Sequence, residues 1–297
     1  MKPLTFTLRA KDGTDLFVRK FEPDHFPKKI VLIAHGLAEH SGRYERFANV
    51  LNKASAVVYA HDQREHGETG GTFPESDVID LMADDVHTLF EKATSEYPDI
   101  PVYVFGHSMG TVVVRRFTQV YKGITGAILC APVHLLDEAA SVRDFAKEQA
   151  SIHGRGERNE AVIGQTFGSF NTPFEPARTA FDWLSRDDKE VDKYIEDPLC
   201  GGAATLGLMH DMMNAALEND KLANVEKMDR DLPVLILSGD KDPVTDFSDG
   251  AVHMKRRFED VGLQVELRDY AEARHELLNE TNREQVMDDV VDWLHRF

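Results

Sequence analysis

Short runs of consecutive apolar residues alternate along this chain with longer stretches in which apolar residues recur every three or four positions. The runs at 30–34, 56–60, 102–105, 127–130 and 234–237 are continuously apolar, which predicts strands buried on both faces, and Leu263-Gln264-Val265-Glu266-Leu267 reads as a further strand. The opening differs. Residues 4–8 alternate in polarity, Asp12-Gly13 reads as a turn, and 16–18 resumes, which predicts an antiparallel hairpin. Helical spacing falls at 44–53, at 76–97 with Asp84 and Asp85 on the solvent side, at 206–217, at 247–261 and from Glu284 onward. Strands alternating with helices in this way predict a mostly parallel sheet with helices on both faces.

The pattern breaks between about Val133 and Leu199. There the chain carries many charges, no clear strand, and loop clusters such as Gly154-Arg155-Gly156 and Asn171-Thr172-Pro173. We read residues 1–132 and 201–297 as one core and 133–200 as an insertion after about the sixth strand. A length of 297 residues suits one such domain.

Composition narrows the function. A net charge of −18 disfavours nucleic-acid binding, which needs clustered Lys and Arg, and it disfavours attachment to anionic membranes. At most transient contact with lipid surfaces is expected. Met1-Lys2-Pro3-Leu4-Thr5 has no charged segment followed by an apolar one, and no apolar run reaches bilayer length. Cys130 and Cys200 form no metal or redox motif and read as reduced thiols. A cytoplasmic protein is the expectation.

The chemistry centres on Gly106-His107-Ser108-Met109-Gly110, a G-x-S-x-G sequence between a strand-like run and a helix whose apolar positions are Val112, Val113, Phe117 and Val120. A sharp turn there lifts a serine Oγ clear of the backbone and makes Ser108 a candidate nucleophile. A serine hydroxyl needs a base held by a third group. Asp242, just past the 234–237 strand, and His275, just past the last strand, supply an acid and a base in the chain order Ser, Asp, His. Asp240 is a rival acid two residues earlier. Asp62 occupies a similar strand end and is expected to anchor the loop of Arg64. The oxyanion of acyl transfer needs backbone donors, for which Met109 and Leu37 are placed. No metal or organic cofactor is called for.

Four stretches carry a family resemblance. They are His35-Gly36-Leu37-Ala38-Glu39-His40-Ser41-Gly42-Arg43-Tyr44, the Ser108 pentapeptide, Gly239-Asp240-Lys241-Asp242, and Arg274-His275-Glu276. The chain resembles the monoacylglycerol lipase and lysophospholipase branch of the α/β-hydrolase superfamily. That resemblance implies an α/β-hydrolase fold, a Ser108–Asp242–His275 triad, Leu37 and Met109 as oxyanion donors, and 133–200 as a helical cap. It places Glu39 and Arg43 where the head of a glycerol ester would be held; an ion pair pinning the oxyanion loop is the alternative. Glu65 stands where the family's post-strand loop commonly has glycine, and Leu278 where some monoacylglycerol lipases have a second histidine.

A small lipid or ester with an apolar acyl group is the expected substrate. Phe167, Phe170, Phe174 and Trp183 are candidates to line an acyl tunnel or to pack the cap against the core, and Met209 and Met212 to roof the site; methionine at helical spacing also serves as core filler. Two other functions stay open. A serine aminopeptidase would use acidic residues such as Glu157, Glu160 or Glu175 for a substrate ammonium. A non-catalytic binding protein of this fold would be expected to lack a member of the triad.

Overall fold

A computed structural model describes residues 2–69, 77–134 and 136–297. Among these residues, eight strands form one sheet: β1 (Leu4–Arg9), β2 (Asp15–Phe21), β3 (Lys29–Ala34), β4 (Ala56–His61), β5 (Val102–His107), β6 (Gly126–Cys130), β7 (Val234–Gly239) and β8 (Val265–Tyr270). Their spatial order is β1-β2-β4-β3-β5-β6-β7-β8. The β1–β2 hairpin pairs antiparallel and joins β4 antiparallel; every later pairing is parallel. The expected strands and the hairpin are therefore all present.

Among the described residues, ten α-helices accompany the sheet: α1 (Glu45–Lys53), α2 (Val78–Glu96), α3 (Met109–Val120), α4 (Leu136–His153), α5 (Glu160–Phe167), α6 (Asp188–Glu196), α7 (Leu206–Asp220), α8 (Leu222–Val225), α9 (Asp249–Asp260) and α10 (Arg283–Leu294). Ser76, the expected start of the α2 segment, lies outside the described residues. The period-2 geometry of a strand sends neighbouring side chains to opposite faces. On one face Ile30, Leu32, Val57, Val102, Val104, Leu129 and Ile236 pack with α2, α3, α7 and α9. On the other, Val31, Ile33, Val58, Phe105, Ile128 and Leu235 pack with α1 and α10. Two buried faces explain why these strands are continuously apolar in sequence.

One expectation, the solvent-facing Asp85, needs correction. The 133–200 segment holds helices, as the resemblance implies, and α4 is a long one. Its buried face is Ala139, Val142 and Ala146, too small and too interrupted by charge to stand out as a stripe. Asp85 does not face solvent. It is fully buried and accepts from Arg64 Nε at 2.6 Å and Nη2 at 2.8 Å, so the guanidinium compensates the charge. Asp62 anchors the Arg64 loop as expected, while the Arg64 side chain itself turns to Asp85 and Asp12. The Asp62 carboxylate instead accepts the Ser41 and Glu68 amides, both at 2.8 Å, and Arg19 at 2.9 Å.

Candidate active site

The site lies at the C-terminal ends of the parallel strands, where loops of an open α/β sheet converge. Ser108 joins β5 to α3 with φ 52° and ψ −120°, a conformation strained for any side-chain-bearing residue. The flanking glycines make the turn possible. A Cβ on Gly106 would sit 2.4 Å from Gly110 O, and one on Gly110 would sit 2.1 Å from Ala34 O. Ser108 N–H donates to Cys130 O at 3.0 Å, and Thr111 N–H donates back to Ser108 O at 2.8 Å, so neighbouring backbone over-determines the strained residue.

Asp242 and His275 arrive from the ends of β7 and β8. His275 Nδ1 lies 2.9 Å from Asp242 Oδ2, and both side chains are buried. Asp242 Oδ1 accepts Val244 N–H at 2.9 Å, which leaves Oδ2 for the imidazole. Asp240 is engaged elsewhere, accepting Glu272 N–H at 2.7 Å. Of the two candidate acids, only Asp242 meets the histidine. Ser108 and His275 both line one cavity of about 330 Å³, with Leu37, Phe167, Trp183 and Leu184 among its walls.

The loop after β3 borders that cavity through Gly36, Leu37, Ala38 and Glu39. A Cβ on Gly36 would lie 3.3 Å from Ser108 Cβ, so loop and elbow are in close contact. Among the described residues, neither Leu37 N–H nor Met109 N–H donates a hydrogen bond to the protein. Met109 is the first residue of α3, where the helix dipole favours negative charge.

Glu39 and Arg43 are committed to each other. Glu39 Oε1 accepts Gly36 N–H at 2.6 Å and Tyr44 OH at 2.8 Å, while Oε2 accepts Arg43 Nη1 at 2.8 Å. Arg43 also forks onto Glu276 at 2.5 and 2.7 Å. Burial pushes the Glu39 carboxyl up, but the Arg43 guanidinium and the Gly36 N–H outweigh it and hold it at about 2. Glu39 lines the cavity; Arg43 sits behind it, in a narrow cleft with Tyr44 and Asn279. The geometry is that of an ion network pinning the loop.

Trp183 stacks on Phe167 and packs edge-on against Phe170, and its ring centroid lies 5.1 Å from that of His275. Phe174 lies instead under the Arg274 guanidinium, 4.1 Å away. Met209 and Met212 require a correction. They are 0% and 3% exposed and belong to the core, not to the cavity wall. Almost every side of α7 is buried, because it packs against α2, α3 and α4. Its methionines fill that interior.

Sequence reasoning missed several residues at the site. Glu276 follows His275 directly, and adjacency was its only signal. His107, inside the pentapeptide, faces the His275 ring at 4.9 Å; burial, then the neighbouring His275, lowers it to about 4 and keeps it neutral. Tyr194 of α6 donates from its OH to Ala38 O at 3.0 Å, a contact without any local pattern. Glu65, already marked in the sequence as standing where glycine is common, adopts φ 69° away from the cavity, and its Oε2 accepts the Thr205 hydroxyl at 2.8 Å.

A doubly covered parallel sheet, a strained serine after its fifth strand, and an acid–imidazole pair after its last two strands define an α/β-hydrolase. The chain belongs to the family described as "Serine aminopeptidase, S33", whose model matches residues 25–282. It is similar to the monoacylglycerol lipase of Mycolicibacterium smegmatis, at 28% identity over 95% of this chain and 93% of the relative. It is also similar to the mouse (Mus musculus) monoglyceride lipase, at 29% over 96% and 88%. Among solved structures, a thermostable carboxyl esterase from Bacillus coagulans in complex with glycerol superposes with TM-score 0.91 at 26% identity, over 99% of this chain and 98% of that one.

Proposed function

We propose that this carboxylic ester hydrolase cleaves esters with an apolar acyl group, of the monoacylglycerol or lysophospholipid type, through an acyl-enzyme on Ser108. The observation that carries the reading is the Asp242–His275 pair at 2.9 Å, whose imidazole lines one largely apolar cavity together with Ser108. His275 takes the Ser108 proton as Oγ attacks the ester carbonyl, while Asp242 orients the imidazole and stabilises its charged form. The N–H groups of Leu37 and Met109 receive the oxyanion. His275 then protonates the leaving alcohol, and water activated by the same histidine releases the fatty acid. Residues 133–200 act as the cap, and Phe167 and Trp183 form the acyl wall.

Among the described residues, the aminopeptidase alternative lacks an anchor for a substrate ammonium. Glu157, Glu160 and Glu175 are exposed and off the cavity, and the two carboxylates that line it, Glu39 and Glu276, already share Arg43. Among the described residues, no helix is long and apolar enough to cross a membrane. The two free thiols fit a reducing, cytoplasmic setting. The test is a panel of a monoacylglycerol, a lysophospholipid, aryl esters of increasing acyl length and an aminoacyl amide. Turnover of the apolar acyl esters supports the reading; turnover of the amide alone would overturn it.

A further inference from the structure

Two buried histidines tie the Gly36–Ala38 loop to the loop that follows β4, and they do so reciprocally. His35, from the first loop, accepts Gln63 N–H at Nε2 (2.8 Å), while its Nδ1 lies 2.7 Å from Gly36 O. His66, from the second loop, accepts Ala38 N–H at Nε2 (3.1 Å), while its Nδ1 lies 2.8 Å from Arg64 O. Each pair of bonds requires the neutral ring with its proton on Nδ1. The rings meet edge to face, 5.2 Å apart. Burial drives both below the ordinary imidazole range, His35 to about 4 and His66 to about 3, so neither becomes an imidazolium that would lose its acceptor nitrogen.

These bonds act on two successive peptide planes. In a trans peptide the C=O and N–H point in opposite directions. Fixing Gly36 O on His35 therefore sets the direction of the Leu37 N–H, which belongs to the same plane. Fixing Ala38 N–H on His66 sets the next plane. Only the φ and ψ of Leu37 lie between them. Ala38 then turns with φ 56°, and its carbonyl accepts Tyr194 OH and Gly201 N–H at 3.0 and 2.9 Å.

We propose that His66 is a positioning residue of the oxyanion hole: by holding the Leu37–Ala38 peptide it keeps Leu37 N–H aimed at the oxyanion that forms on the Ser108 adduct. This rests on the ester-hydrolase reading above. His66 touches no reacting atom. Its effect is confined to the stage at which a tetrahedral oxyanion exists, so it changes turnover and leaves substrate binding nearly unchanged.

The test compares His66→Ala, His66→Gln and His66→Asn in the full chain, with p-nitrophenyl octanoate as substrate and an alkyl trifluoromethyl ketone as a probe that forms a tetrahedral adduct. His66→Ala is expected to lower kcat by ~10–100-fold with KM within about threefold, and to weaken the ketone by the same factor as kcat. Gln recovers most of the loss because its Oε1 reaches the place of Nε2. Asn, one methylene shorter, reaches only the place of Nδ1 and does not. A folded His66→Ala with wild-type kcat overturns the inference, and so do Gln and Asn variants impaired equally and in proportion to lost thermal stability. If the Ala variant does not fold, the Gln–Asn contrast decides. Wild-type ester turnover alongside unimpaired His66 variants overturns this inference alone; a wild type without ester turnover overturns the hydrolase reading with it.

Discussion

The strand-end loops and the 133–200 segment meet at one cavity but are specified by different means. At the strand ends, backbone fits against backbone. Gly106 and Gly110 have no room for a Cβ, Ser108 is held at positive φ, and His35, His66 and Glu39 grip main-chain groups. In the 133–200 segment, side chains make the wall: Phe167 and Trp183 line the cavity and pack on each other and on Phe170 behind them. On the proposed function, the strand ends set the reaction and the segment sets which acyl group is accepted. Substitutions on the two sides should separate turnover from binding.

The largest effect belongs to the acid that holds the base. Asp242→Asn is expected to lower kcat by ~10⁴ with the fold intact, because the amide cannot hold the required imidazole tautomer. Asp240→Asn, whose carboxylate serves the Glu272 amide, should change kcat by less than about threefold. Steady-state ester kinetics on the pair distinguishes them; equal losses would break the assignment. Next comes Gly110→Ala. Its new methyl group must displace Ala34 O, at the root of the oxyanion loop, and a loss of ~10²–10³ in kcat follows from moving one donor. A variant of full activity would mean that the elbow tolerates what the geometry forbids.

On the other side of the comparison, Trp183→Ala should raise KM for long-chain aryl esters by ~10-fold while kcat stays within about threefold, since the indole forms wall and no donor. Kinetics across acyl lengths checks this, and a loss confined to kcat would move Trp183 to the chemical side.

A smaller effect concerns acid stability, and it sits on the core side. Burial lowers His35, His61 and His107 to about 4 and His66 to about 3. Unfolded histidines protonate near pH 6.5, so between pH 6.5 and 4 the unfolded chain binds protons that the folded chain refuses. Stability is therefore lost as pH falls through that window, by about 2 kcal/mol per histidine at pH 5. Glu65 opposes this. Burial raises it to about 7, so its stabilising contribution is lost as pH rises through 7 and is present at pH 5. It offsets roughly one of the four histidines. Melting curves should show Tm lower by about 10 °C at pH 5 than at pH 7.5; a flat Tm would contradict the buried neutral rings.

The same division explains what could be read from the chain. The parallel strands were legible because burial on both faces leaves continuous apolar runs, as in Val31-Leu32-Ile33. Ser108, Asp242 and His275 stood at strand ends in a recognisable order. What could not be read is long-range and side-chain made. Arg43 meets Glu276 across 233 positions, and Tyr194 reaches Ala38 from α6, with no periodicity to announce either. Asp85 looked solvent-facing because its partner Arg64 comes from another loop. Met209 and Met212 fitted a cavity roof as well as a core until the neighbours of α7 were known. The helix α4 went unseen because alanines make its buried face.

The central claim, that Ser108 is the nucleophile served by His275, is tested most directly by intact-mass spectrometry after brief exposure to an alkyl fluorophosphonate. The wild type should gain one phosphonyl adduct on the peptide carrying Ser108, Ser108→Ala should gain none, and His275→Ala should label at least ~100-fold more slowly. Labelling of Ser108→Ala at the wild-type rate, or of a folded His275→Ala without delay, would contradict it.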